Sequence, residues 1–75
     1  MRDLSVIANE IRSNWTKVYF GAVPYLDAMS TLGSVEEDYF MDSGHSIVAY
    51  FLANAGTWRG EVARRVKKEL NAMIK

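Results

Sequence analysis

Apolar side chains recur in this chain at helical spacing. Leu4, Ile7, Ala8, Ile11, Trp15 and Val18 follow the i, i+3, i+4, i+7 rhythm that lines one face of an α-helix. Asn9, Glu10, Arg12, Ser13, Asn14 and Lys17 fill the other side. Asp3 or Ser5 can cap the start, since a short oxygen-bearing side chain accepts an orphan N–H of the first turn. Gly21 ends this helix, because glycine readily takes the left-handed conformation found just past a helix.

A second, shorter helix begins near Pro24, which a first turn tolerates. Tyr25, Leu26, Met29 and Leu32 form its apolar side, Asp27 complements its dipole, and Gly33 closes it. Ser34-Val35-Glu36-Glu37 matches the capping-box pattern. It predicts one or two turns of helix through Tyr39, or else an ordered loop over residues 33–42. Asp42 and Ser43 offer caps for a third helix running to about Ala55. Its Ile47, Val48, Tyr50, Phe51, Leu52 and Ala55 cover more than one face, which marks the central helix of a small domain. Gly56 ends it and Thr57 can cap the next, leaving a break of only a residue or two. The fourth helix spans Trp58 to near Lys75, with Trp58, Val62, Val66, Leu70 and Met73 as its stripe and Ile74 at the margin. Gly60 in its first turn is unfavourable by ~1 kcal/mol relative to alanine and suggests close contact with another backbone. The predicted fold is all-α: one domain over residues 1–75, built as a compact bundle of three main helices plus one short helix.

Composition agrees with a small globule. The chain has 75 residues, is 49% hydrophobic and contains two Trp, four Tyr and three Phe, enough apolar area to argue against disorder. A chain this short buries only about 60% of its unfolded surface, so its stability margin is thin. With no cysteine, disulfides and thiolate metal sites are excluded, and a reducing cytoplasm suits it. The first residues mix charge into apolar positions, unlike a signal peptide. The longest apolar run, Ile47–Ala53, is far short of the ~20 residues of a membrane span.

Charge adds a feature that the net value of zero conceals. Residues 1–33 are balanced. Residues 34–56 carry Glu36, Glu37, Asp38 and Asp42 with no Lys or Arg, a net of −4. Residues 57–75 carry Arg59, Arg64, Arg65, Lys67, Lys68 and Lys75 against Glu61 and Glu69, a net of +4. On a helical wheel Arg64, Lys68 and Lys75 lie opposite the apolar stripe, and Lys67 lies on its flank. These six basic residues could contact phosphates of a nucleic acid or a partner protein; as a solvated face they also suit the helix C-terminal dipole. The wheel places Arg59 on the buried side, where a guanidinium needs a partner, and Asp42 is the candidate for a structural ion pair. The −4 and +4 segments are therefore expected to be neighbours in the fold.

Catalytic and metal patterns are weak. His45 stands among Asp42, Ser43 and Ser46, but all lie within one turn, with no nucleophile elbow or oxyanion hole to organise a hydrolase triad. They read as capping groups. Glu36, Glu37, Asp38 and Asp42 lack the order and the twelfth-position glutamate of an EF-hand. Tyr19, Phe20, Tyr25, Tyr39 and Phe40 cluster near segment ends; those left exposed would mark an interaction surface.

Ala22-Val-Pro-Tyr-Leu-Asp-Ala-Met29, Asp42-Ser43, Ile47–Ala55, Trp58-Arg59-Gly60, Ala63 and Lys68-Glu69-Leu70 together resemble small uncharacterised proteins of bacteriophages and other bacterial mobile elements. The resemblance spans residues 4–74 and brings no functional residues with it. It implies expression in a bacterial cytoplasm and an accessory role. The expected function is a non-enzymatic protein-interaction module, dimeric with itself or bound to a host or phage protein, without cofactor, membrane or small-molecule substrate. The alternative is a nucleic-acid-binding protein that uses the basic C-terminal helix.

Overall fold

The computed structural model describes residues 2–75. Among them the order is α1 (Leu4–Asn14), a 3₁₀ turn (Phe20–Ala22), α2 (Val23–Met29), β1 (Asp38–Tyr39), β2 (Asp42–Ser43), α3 (Gly44–Ala53) and α4 (Glu61–Met73). Three longer helices and the short α2 match the expected helices. The antiparallel hairpin does not, so the chain is largely helical and not strictly all-α.

The α1 stripe is buried as its spacing predicts: Leu4, Ile7, Ala8 and Ile11 are fully inaccessible to solvent. Neither candidate cap acts, because the Asp3 side chain makes no capping bond. The N–H groups of Leu4 and Ser5 donate instead to Gly33 O and Leu32 O at 3.1 and 2.9 Å. The loop after α2 thus caps α1, which satisfies two of the donors orphaned at every helix start. The helix stops at Asn14, well short of Gly21, and Trp15 leaves helical geometry to enter the core.

Residues 33–37 resolve the open choice between helix and loop in favour of a loop. Ser34 Oγ accepts the Glu36 N–H at 3.2 Å, and the Glu37 carboxylate accepts the Gly33 N–H at 3.2 Å. These are not the reciprocal bonds of a capping box, which would join Ser34 and Glu37 themselves; they close a turn that no helix follows. The chain enters the hairpin instead, with Asp38 opposite Ser43 and Tyr39 opposite Asp42. Ser43 then caps α3 as expected, its Oγ accepting the Ser46 N–H at 3.1 Å.

Helix α3 buries Ile47, Val48 and Phe51 and packs on α2, α4 and the hairpin. It is less wrapped than its composition suggests, since Tyr50 is half exposed. Residues 54–60 form a longer connection to α4 than the one- or two-residue break expected. Trp58 and Arg59 precede α4, and Gly60 is its N-cap with φ 112° and ψ −177°. That backbone conformation is essentially confined to glycine. No atom lies within 4 Å of where a Gly60 Cβ would sit, so conformation rather than backbone contact explains the residue.

Trp58 joins the connection to the core. Its ring stacks on Trp15 with centroids 5.8 Å apart, and its indole N–H donates to Asn14 Oδ1 at 2.8 Å. Trp15 meets Phe51 edge-on at 6.3 Å. Asn14–Trp58, Glu10–Arg65 and Arg2–Glu69 contacts run α1 and α4 antiparallel. One end of the molecule therefore holds the start of α1, the hairpin, the start of α3 and the end of α4. The other holds the end of α1, the 3₁₀ turn, the end of α3 and the start of α4.

Gly44 makes the junction between hairpin and helix possible. A Cβ there would meet Ser34 O at 2.8 Å and Val35 Cα at 2.9 Å, both backbone atoms that cannot swing away. Gly44→Ala is expected to destabilise the fold by about 1–3 kcal/mol through overpacking. Gly56→Ala, with nothing within 4 Å, is the control and should change stability by less than about 0.5 kcal/mol. Urea unfolding of the two variants checks the difference.

Candidate functional site

The six basic residues singled out in the sequence do not form one free surface. Arg65 pairs with Glu10 of α1. Arg2 completes the group, lying 2.8 Å from Glu10 Oε1 and making a bidentate pair with Glu69 at 2.6 and 3.0 Å. The Arg2–Glu10 contact is an ion pair by distance without hydrogen-bond geometry. Two arginines and two glutamates thus tie α4 to α1 and to the chain before it. The hydrogen bond from Arg65 and then the close Arg2 guanidinium hold Glu10 below the ordinary carboxylate range, and hydrogen bonds from Arg2 do the same for Glu69.

Lys67 is also engaged. Its ammonium donates to Trp58 O at 2.6 Å and lies 5.9 Å from the centre of the Trp58 ring, within cation–π range. Burial lowers its pKa below the ordinary lysine value, and the Arg59 charge lowers it further. Arg64, Lys68 and Lys75 are exposed, as the wheel predicts, and make no ion pair among the described residues.

Arg59 corrects the wheel. It is exposed and forms no pair with Asp42. The reason is the helix start: α4 begins at Glu61, so a 100° step does not describe residue 59. Asp42 lies in the hairpin, at the far end of α4. Among the described residues none of Glu36, Glu37, Asp38 and Asp42 pairs with a basic side chain. The −4 and +4 segments are neighbours in space through α3 and α4, as expected, but among the described residues their opposite charges do not pair. Nor do those four carboxylates converge, since no group of three or more potential ligands gathers among the described residues.

His45 is committed to structure. Its Nε2 lies 2.9 Å from Ile74 O, and a carbonyl only accepts, so this nitrogen carries the proton. It links the start of α3 to the end of α4. Ser43 and Ser46 bond to each other at 3.1 Å within the cap.

The hairpin carries the site that sequence reasoning half saw. Its two-residue loop is Phe40-Met41, and these side chains are 88% and 100% exposed. Phe40 has φ 55°, the only positive φ at a non-glycine position among the described residues. A two-residue hairpin loop with positive φ only at its first position is the II′ arrangement, which normally places glycine there. Phe40 lies edge-on to Tyr39, with centroids 4.8 Å apart. Phe40 was among the aromatics singled out; Met41 was not. The signal was an apolar triplet, Tyr39-Phe40-Met41, inside an acidic stretch that offered it no helical stripe to join. A smaller aromatic surface, with Tyr19, Phe20 and Val23 exposed, lies at the opposite end of the molecule. Tyr25 and Tyr50 pair beside α2 and α3 at 5.5 Å.

One cleft of about 440 Å³ opens at the start of α4, lined by Trp58, Arg59, Gly60, Ala63, Arg64 and Lys67. Its walls combine an apolar floor with three cations, and it contains no acid, thiol or histidine. Its charge and lining suit a negatively charged, partly apolar group. No helix among the described residues is long and apolar enough to cross a membrane. No family model, curated protein or solved structure was found to match the chain. Function is therefore read from the tip, the cleft and the chemistry around them.

The ion network predicts acid sensitivity. Both glutamates have folded-state pKa values below the ordinary 4.5, so their contribution is present above that value and is lost as pH falls through the lower folded values. Thermal unfolding should show the wild type losing stability below about pH 4.5. Glu10→Gln should start lower at pH 7, and its deficit should shrink as the pH drops.

Proposed function

We propose that this chain is a non-enzymatic protein-interaction module that docks through the Phe40–Met41 hairpin tip. The observation that carries this reading is the tip itself. A bulky aromatic residue held at positive φ costs of the order of 1–3 kcal/mol, and such strain concentrates at functional sites. Here it presents two large apolar side chains to solvent and buries neither. Within the fold this arrangement gains only the edge contact of Phe40 with Tyr39, whereas a partner could bury both side chains. Glu36, Glu37, Asp38 and Asp42 surround the tip in sequence and are exposed, so the surface it fits is apolar with a cationic rim. The commitment of His45, Ser43 and Ser46 to capping supports a role without catalysis. An accessory task in the cytoplasm of a bacterial host, of phage or mobile-element kind, is the setting the sequence resemblance implies.

The test replaces Phe40 with a photo-crosslinking phenylalanine analogue in the native cells. A discrete adduct is expected from position 40 and none from the same analogue at exposed Asn9. Phe40→Gly should abolish binding without loss of stability, because glycine relieves the turn. Equal adducts from both positions would reject the docking role.

Nucleic-acid binding is the second reading, favoured by the ion-pair-free Arg59, Arg64, Lys68 and Lys75. It is weakened by the engagement of Arg65 and Lys67. It predicts salt-sensitive retention on DNA or RNA, reduced when Arg64 and Lys68 are neutralised. Retention indifferent to both changes removes it.

A further inference from the structure

The docking tip and the basic cleft lie at opposite ends of one molecule. The hairpin abuts the start of α3, where Gly44 N–H donates to Glu37 O at 2.6 Å, and His45 ties that point to the end of α4. The cleft is built from Trp58 to Gly60 and the first two turns of α4. Between them runs α4 itself, 13 residues and so about 20 Å long. A two-residue hairpin loop fixed to α3 cannot fold back over that distance to reach its own cleft.

The two ends are complementary in chemistry. The tip offers Phe40 and Met41, with exposed carboxylates of Glu36, Asp38 and Asp42 close by in the chain and unpaired among the described residues. The cleft, about 440 Å³, opens over Trp58 and Ala63, which are 2% and 1% exposed, and is walled by Arg59, Arg64 and Lys67. None of these three cations has a carboxylate partner, and Arg59 and Lys67 are close enough to repel. Among the described residues, neither the carboxylates near the tip nor the three cations of the cleft are compensated by an ion pair within a single chain.

We propose that the tip of one copy docks in the cleft of a second copy, Phe40 and Met41 against Trp58 and Ala63, with Glu36, Asp38 and Asp42 facing Arg59 and Arg64. This rests on the reading of the hairpin as a docking element and names its partner. The contact is heterologous, so each docked copy keeps one free tip and one free cleft, and association continues into chains or a closed ring. A two-residue tip with these carboxylates falls short of the ~1,200 Å² of a stable interface, so association is weak and concentration-dependent. Opposite charge steers the encounter and sets its direction. Other occupants fit less well. A phosphate backbone would leave the apolar floor unused, and an anionic lipid surface would repel the carboxylates near the tip.

Light scattering and sedimentation of the purified chain test this with two variants. Phe40→Ser/Met41→Ser blanks the tip, and Arg59→Glu/Arg64→Glu reverses the cleft. All four positions are exposed, so both variants should fold, as circular dichroism would verify. Phe40→Gly and Arg59→Glu alone serve if either double variant unfolds. The wild-type average mass should rise with concentration and fall back near 1 M salt, where the screening length is about 3 Å. Each variant alone should remain monomeric. Their equimolar mixture should approach twice the monomer mass and go no further, since one intact tip meets one intact cleft. A monomeric wild type, a variant that associates alone like wild type, or a mixture that stays monomeric overturns the proposal. A monomeric chain whose tip crosslinks to a different protein overturns self-docking and leaves the docking role of the hairpin standing. A monomeric chain without any tip crosslink removes both. A monomeric chain that retains an oligonucleotide through Arg59 and Arg64 overturns the pairing and assigns the cleft to nucleic acid.

Discussion

The stack of Trp58 on Trp15 is the contact on which the rest of this small domain depends. Trp58 sits in the connection between α3 and α4, yet it is only 2% exposed. A large ring removes ~150–250 Å² from water, which at about 25 cal/mol per Å² corresponds to ~4–6 kcal/mol as an upper estimate. The whole stability of a domain is of the order of 5–15 kcal/mol. The indole N–H bond to Asn14 fixes the ring against the end of α1, and Lys67 secures the Trp58 carbonyl from α4. One residue outside any helix thereby sets where α4 begins and how it crosses α1. The cleft is a consequence: Trp58 supplies its floor, and the turn at Gly60 lifts Arg59 out to its rim.

The sorted charge follows from this topology. Running α4 antiparallel to α1 brings Arg65 to Glu10, and Arg2 meets Glu69, so the middle of the basic helix is neutralised by its neighbour. What remains free at the start of α4 is Arg59 and Arg64, and what remains free toward the other end is the acidic group of the hairpin with Lys68 and Lys75. A chain of zero net charge thus becomes a molecule with an acidic apolar point and a basic apolar hollow.

Helical periodicity made α1, α3 and the buried side of α4 legible, because burial imposes a repeat on residues that share a face. Leu4, Ile7, Ile11, Phe51, Val66 and Leu70 are all in the core. The Ser43 cap was legible because it acts through bonds to residues three positions away. The cap on α1 was not, since its acceptors belong to Leu32 and Gly33. The hairpin was hidden for a related reason. Its strands have two residues each, too few to show alternation, and the Ser34–Glu37 pattern made its local bonds without a helix to follow. Arg59 was misplaced because a wheel assumes a helix phase that Gly60 interrupts.

Local order is decided by interactions among near neighbours, and that much the amino-acid sequence determines unaided: the helix-forming stretches, their buried stripes, the absence of thiol chemistry and the segregation of charge along the chain. Which charges meet is decided by distances that only packing sets. Glu10 and Arg65 are far apart in sequence and joined in space, while Asp42 and Arg59 are closer in sequence and held at opposite ends of α4. The tertiary structure alone decides that Phe40 and Met41 stand in water, and that a cleft with three cations opens at the other end. Exposure is a property of everything that fails to cover a side chain, and no window of sequence contains that information.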